Sequence, residues 1–243
     1  MTSLDFSQIA LLTQDASPLL PDPAYLPWLG QVAWALVAAA VVLGGLGLQR
    51  PGVSNTRVLM AACLALWTFY PGPWGLSYWL GLAFQKPSLM ACALALHYVV
   101  GYFGARVPSG SEEIYPVSGP AMGTARIQRT FLACALALGW ILLIDTFGFL
   151  PFSVYAWGFH PACSAGLLAC ALLAWVGTGR WHHLASSAPA LLLLVLLVFW
   201  FSRWPSGNVW DAVLDPCLWI ALHRFAIRRF SQSRKAELAE SAP

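Results

Sequence analysis

The chain has 243 residues, of which 59% are apolar and only 9% are charged, and its formal net charge is +3. Soluble domains carry about 25% charged residues, so this composition excludes a water-soluble globular fold. The basic residues lie between and after the apolar stretches and form no stripe with interleaved aromatic residues. Nucleic acid is therefore excluded as a predicted partner.

Seven apolar stretches follow one another along the chain. A spanning helix needs about 20 mainly apolar residues, and six of the stretches approach that length. In chain order the predicted spans are residues 28–48, 58–70, 88–105, 130–150, 155–176, 187–202 and 209–223. The seventh is shorter and contains Asp211, Asp215 and Pro216. The predicted fold class is an all-α, polytopic transmembrane bundle of about seven helices.

Charge placement supports the seventh span, because Lys and Arg near the ends of spans concentrate on the cytoplasmic side. With seven spans and the N-terminus outside, 11 of the 13 basic residues fall inside, and only Lys86 and Arg203 fall outside. Without the seventh span, 6 would lie inside and 7 outside. We therefore predict that the N-terminus is extracytoplasmic and the C-terminus cytoplasmic.

This topology divides the chain into three parts. Residues 1–27 are predicted to be an extracytoplasmic segment, residues 28–227 the transmembrane domain and residues 228–243 a basic and then polar cytoplasmic tail. Residues 106–129 form the one long cytoplasmic loop. The chain has no Asn-x-Ser/Thr sequon, which fits a multi-pass protein of a bacterial inner membrane.

No cofactor or metal site is predicted. The six cysteines lie in or beside apolar stretches without a Cys-x-x-Cys pair, so they are interpreted as small packing residues. The only lysines are Lys86 and Lys235, and neither lies in the bundle, where a retinal Schiff base would form. His97 has no second histidine at its predicted depth, which argues against haem.

Four polar residues in or near the spans form a candidate intramembrane site. They are Asp145, Asp211, Asp215 and His97. A charged residue at the centre of a span costs about 2.5 to 3.5 kcal/mol, so each requires an explanation. Asp145 lies near the outer end of the fourth span and could reach the headgroup layer. His97 lies near the middle of the third.

Asp211 and Asp215 allow two interpretations. Their i, i+4 spacing places both on one face of a single helix, where repulsion favours a shared proton and a relay or cation site. Alternatively, Asp215 is an N-cap and Pro216 the first helical residue. In the second case Asn at position 215 should preserve stability, because Asn caps about as well as Asp.

A surplus of aromatic residues lies near the predicted outer interface. Its candidate surface consists of Trp74, Trp79, Trp157, Trp204 and Trp210. An interfacial aromatic belt is the ordinary explanation. The same residues could instead line a shallow site for a flat apolar ligand, or a surface on which another membrane protein docks.

Two parts of the chain share an order of features. Trp67 to Trp74, Pro87-Ser-Leu and Ala95-Leu-His are followed later by Trp200 to Pro205, Pro216-Cys-Leu and Ala221-Leu-His. A duplication would give a 3+1+3 plan, which resembles sugar carriers of the SWEET type in topology. Neither copy has the Pro-Gln dipeptide of that superfamily, so no family is assigned.

The sequence contains no hydrolase, zinc-protease or nucleotide-binding motif. The leading prediction is a non-enzymatic membrane protein, an accessory or structural subunit whose partners are membrane lipids or other integral membrane subunits. One alternative is a transporter or channel for a small solute or protons, based on the four polar residues and the suspected repeat. The other is a membrane enzyme that modifies lipid.

Overall fold

The computed structural model describes residues 19–44, 55–104, 122–177 and 188–240. It is all-α and 80% helical, with no strand in the described residues. Its α-helices, in chain order, are α1 (Leu26–Gly44), α2 (Asn55–Thr68), α3 (Leu76–Phe84), α4 (Leu89–Gly104), α5 (Met122–Thr146), α6 (Val154–Trp157), α7 (Pro161–Gly177), α8 (Ala188–Ser202), α9 (Val209–Val213) and α10 (Pro216–Glu240).

Seven of these helices overlap the predicted spans in order: α1, α2, α4, α5, α7, α8 and α10. The other three, α3, α6 and α9, have 9, 4 and 5 residues. Two described helices are long and apolar enough to cross a membrane, namely α1 and residues 129–146 of α5. The apolar helices α2, α4, α7 and α8 have only 14, 16, 17 and 15 residues. The all-α class is thus confirmed, whereas seven membrane-spanning helices are not.

The described connections between long helices meet at one end of the molecule, which we call the connection end. It consists of residues 69–88, 147–160 and 203–215, each segment containing one of the short helices. Hydrogen bonds join the segments to one another, for example from the Asn208 side chain to the Tyr155 carbonyl. Gly207 lies against the Leu19 carbonyl oxygen, which brings the start of the described chain to the same end.

The helices pack in two groups that meet through α4. In the first group α1 packs on α2 and α4, and in the second α7 packs on α8. Helix α4 also contacts α8 and α9, while α10 packs on α5. The hydrophobic core lies where α7, α8 and α9 meet. It consists of Ala171, Leu196, Phe199, Val209 and Ala212.

The predicted fourth and fifth spans have wrong boundaries at the connection end. Helix α5 ends at Thr146 rather than at residue 150, and Gly148 follows with a φ of 71°, which side chains other than glycine rarely adopt. The fifth long helix begins at Pro161 rather than at residue 155. Residues before it form the separate short helix α6, whose N-cap is Ser153.

The predicted seventh span is also wrong as a single helix over 209–223. Helix α9 ends at Val213, Leu214 is extended with φ −143° and ψ 131°, and α10 then begins at Pro216. Proline disfavours helical backbone in the residue before it, which separates the two helices. Asp211 and Asp215 therefore do not lie on one face of one helix. Helix α10 continues to Glu240, so residues 228–240 of the predicted tail belong to it.

Several predictions fall on residues that the structure leaves undescribed. These are most of the extracytoplasmic segment (1–18), most of the long loop (105–121) and residues 178–187, which include His182 and His183.

Candidate functional site

The carboxylate of Asp215 joins the N-termini of two long helices. One of its oxygens, Oδ1, accepts the Leu218 backbone N–H in the first turn of α10 at 2.8 Å. The other, Oδ2, accepts the Ser88 backbone N–H just before α4, also at 2.8 Å. The first contact is the N-cap that the Asp215-Pro216 pair predicts. The second links residues 127 positions apart, and no sequence pattern indicated it.

Ser88 completes this joint from the side of α4. Its hydroxyl accepts the Ala91 backbone N–H at 3.0 Å, so Ser88 caps α4 while its own N–H is held by Asp215. Both residues are buried, Ser88 at 0% and Asp215 at 8% exposure. A buried N–H group needs a hydrogen-bond acceptor, and Asp215 supplies it between α4 and α10.

Asp211 lies in α9 and binds two hydroxyl groups. Its Oδ2 accepts the Tyr155 hydroxyl at 2.7 Å and also the Ser206 hydroxyl. Burial, and then the hydrogen bond to Asp211, raise the pKa of the Tyr155 phenol above its ordinary value. Tyr155 is therefore a neutral hydrogen-bond donor at physiological pH.

Asn208 attaches the third connection to the second. Its Oδ1 accepts the Trp210 backbone N–H at 2.9 Å and caps α9, while its Nδ2 donates to the Tyr155 carbonyl at 2.9 Å. The Val209 N–H donates to the Gly158 carbonyl at 2.9 Å. A side chain at Gly158 would collide with Asn208 and Trp210, so this close approach requires glycine.

The structure connects Asp145 to Asp211 through one residue. Asp145 Oδ2 accepts the Tyr155 backbone N–H at 2.7 Å, and the hydroxyl of the same tyrosine donates to Asp211. Asp145 also accepts the Ser153 hydroxyl at 3.3 Å. All three candidate aspartates thus lie at the connection end and bind groups that organise it.

His97 does not join them. It is exposed in α4, and its backbone lies nine residues after Ser88, about 13 Å along the helix at 1.5 Å per residue. The structure therefore brings the three aspartates to one end of the molecule and places His97 apart from them.

A cavity of about 380 Å³ lies between the first and third connections. Its polar lining consists of Gln85, Lys86, Ser206, Asp211 and Asp215, and its apolar lining includes Phe84, Pro205 and Leu214. The Lys86 ammonium lies 5.3 Å from the centroid of the Trp204 ring. Burial lowers the pKa of Lys86 below its ordinary value.

The five candidate tryptophans divide into two kinds. Trp74, Trp79 and Trp157 are exposed, at 77%, 59% and 59%. Trp204 is 3% exposed and donates its indole N–H to the Pro87 carbonyl at 3.2 Å, so it is not part of an exposed aromatic surface. Trp210 is partly buried and donates to the Val154 carbonyl at 2.9 Å. The last two tryptophans hold connections together instead of forming a surface.

Sequence reasoning missed five residues of this site: Lys86, Ser88, Tyr155, Ser206 and Asn208. Two of them follow a recognisable pattern, because Ser88 and Asn208 are cap-forming residues that directly precede a helix. The other three act through contacts with Trp204 or Asp211 that only the folded chain creates.

Within the described ranges no three His, Cys, Asp or Glu side chains are grouped to hold a metal ion. No protein-family model, curated protein or solved structure matches this chain. The proposed function therefore rests on the geometry of the residues above.

Proposed function

We propose that this chain is a non-enzymatic, seven-pass integral membrane protein that packs with lipid or with other membrane subunits. The observation that carries the proposal is the exposure of large apolar side chains along the long helices. Leu66, Leu173 and Phe201 are 72%, 71% and 85% exposed. Exposed apolar surface on this scale marks contact with a membrane or a partner.

The arrangement of the connections supports an alternating path through the bilayer. The connections after α2, α5 and α8 all lie at the end where α1 begins. Helices joined at the same end run in opposite directions, which is the arrangement that seven passes with an outer N-terminus require. Described basic residues agree with it, since Arg57 and Arg129 lie toward the other ends of α2 and α5.

The placement of the carboxylates favours a subunit over a transporter. A transport path needs polar groups near the midplane, facing a cavity. Asp145, Asp211 and Asp215 instead lie at the connection end, where they bind backbone N–H and hydroxyl groups. Their contacts have a structural role, because they hold the connections and two helix N-termini together.

One observation favours transport of a small solute as a second candidate. The cavity at the connection end contains Lys86, Asp211 and Asp215 and would serve as an outer vestibule. Uptake into proteoliposomes that depends on Lys86 and Asp211 would support this candidate.

The subunit proposal is tested by isolating the tagged chain from its native membranes in mild detergent at its natural expression level. We expect a second integral membrane protein to copurify at a fixed ratio through affinity and size-exclusion steps. A similarly tagged, unrelated polytopic protein from the same membranes is the control. Elution of the chain alone, with lipid and detergent only, would contradict a stable complex.

A further inference from the structure

We propose that the cavity at the connection end binds a small zwitterion, a molecule that carries an oxyanion and an ammonium group. The oxyanion would bind Lys86 and the ammonium group would bind Asp211. This chemistry is shared by the headgroup of phosphatidylethanolamine and by free small zwitterions such as O-phosphoethanolamine. The proposal stands whether or not the chain is a subunit of a larger complex.

Lys86 supplies the positive side of the cavity. Its ammonium packs on the Trp204 ring, and no carboxylate of the described residues lies within 4 Å of it. The aromatic face attracts the ammonium group but accepts no ordinary hydrogen bond from it. The three N–H donors of Lys86 therefore remain available to a ligand. Burial also lowers the pKa of Lys86, because it disfavours the charged form. A bound oxyanion would stabilise the charged form and raise that pKa again.

Asp211 supplies the negative side. Its Oδ2 accepts both hydroxyls, from Tyr155 and Ser206, whereas its Oδ1 has no hydrogen-bond donor among the described residues. Asp215 lines the same cavity, but both of its oxygens already accept backbone N–H groups. The free acceptor is therefore Asp211 Oδ1, which can receive an ammonium N–H.

The walls and size agree with a small charged ligand. The cavity volume of about 380 Å³ is near the lower end of the range for ligand sites, about 300 to 1,000 Å³. Phe84, Pro205 and Leu214 contribute apolar walls beside the charged groups. A lone anion would leave Asp211 Oδ1 without a donor, and a lone cation would leave the Lys86 ammonium without an anionic partner. A molecule with both charges therefore fits best.

The test uses the full-length chain in detergent and measures binding by the ligand-induced rise in melting temperature. O-phosphoethanolamine is the soluble probe, and inorganic phosphate and ethanolamine are its two single-charge halves. We expect the zwitterion to bind at least about tenfold more tightly than either half. Equal binding of phosphate alone, or no binding of the zwitterion, would overturn the proposal.

Variants assign the two charges. Lys86→Gln and Asp211→Asn should each raise the dissociation constant at least about tenfold, and Asn keeps an oxygen for the two hydroxyls. Arg203→Gln is the matched control, because Arg203 lies at the same end but packs on Phe199 and Trp200 outside the cavity. Melting of each variant without ligand reports whether it is folded. Wild-type affinity in a folded Lys86→Gln or Asp211→Asn protein would overturn the assignment.

Competition identifies the source of the zwitterion. Short-chain phosphatidylethanolamine in micelles should displace O-phosphoethanolamine, with short-chain phosphatidylglycerol, which lacks the ammonium group, as control. Displacement by the first lipid alone identifies a lipid headgroup. Binding of the soluble probe without displacement by either lipid identifies a free solute, and displacement by both lipids equally would overturn a role for Asp211.

Discussion

The connection end and the long helices differ in which side chains they bury. At the connection end polar side chains are buried and paired, as Ser88, Asn208 and Asp215 show with exposures of 0%, 0% and 8%. Along the span of α5, by contrast, only 6% of the residues are buried inside the protein. The connections are thus held by hydrogen bonds within the chain, whereas the apolar helices leave most of their side chains at least partly exposed.

The largest expected effect comes from breaking the joint between α4 and α10. Asp215→Ala removes the cap of α10 and leaves the buried Ser88 N–H unsatisfied. We therefore expect the free energy of unfolding to fall by about 2 to 3 kcal/mol. Asp215→Asn keeps only one acceptor oxygen, and we expect about half of that loss. Thermal melting in detergent measures both.

This expectation revises the simple-cap prediction, in which Asn at position 215 is nearly silent. Asp22→Asn is the matched control, because Asp22 accepts only one N–H, that of Ala24, at an exposed position. Asn at position 22 should melt like the wild type. An Asp215→Asn protein that also melts like the wild type would show that the bond to Ser88 contributes nothing.

Gly158→Ala tests the contact between the second and third connections. The new methyl group would collide with Asn208 and Trp210, and overpacking costs about 1 to 3 kcal/mol. Gly166→Ala is the control, since a methyl group there meets no atom within 4 Å. A Gly158→Ala protein as stable as the Gly166→Ala protein would contradict the close approach of the two connections.

Tyr155→Phe removes the hydroxyl that binds Asp211 and should cost about 1 kcal/mol near neutral pH. The pKa of Tyr155 is raised in the folded protein, so its contribution is complete below the unfolded pKa, about 10, and is lost as pH rises above it. Between pH 7 and pH 11 the melting temperature should therefore fall less steeply for the variant than for the wild type. An equal fall in the two proteins would contradict the hydrogen bond from the Tyr155 phenol to Asp211.

The smallest effect is expected for His97→Leu. His97 is exposed in α4 and lies away from the connection end, and such substitutions change stability by about 0.5 kcal/mol or less. The melting temperatures of His97→Leu and Asp215→Ala, measured together, compare an exposed position of α4 directly with the connection end. A large loss would show that His97 has a partner essential for the fold.

The helical class was predictable because apolar residues surround each long helix, which is typical of a chain in an apolar solvent. Helix ends were less predictable, since α5 ends with Gly148 in a left-handed conformation and α9 is separated from α10 before Pro216. Both residues are visible in the sequence, but hydropathy gives them little weight against the apolar residues around them.

The candidate site was predictable only where its contacts are local. The Asp215-Pro216 pair indicated a helix cap, and Leu218, whose backbone N–H donates to that carboxylate, lies only three residues away. The i, i+4 spacing of Asp211 and Asp215 misled, because it assumes one continuous helix. The partner of Asp215 at Ser88 and the burial of Trp204 depend on tertiary packing, which one sequence does not reveal.

The central claim is tested most directly by finding whether the connection end and the second half of α10 lie on opposite sides of the membrane. Single cysteines are introduced at Ala83, exposed in α3 at the connection end, and at Ser231, exposed in the second half of α10, in a chain whose six native cysteines are replaced by alanine. With a membrane-impermeant maleimide, seven passes predict that Ala83→Cys is labelled in intact cells and Ser231→Cys only after permeabilisation. Labelling of both in intact cells would contradict the account.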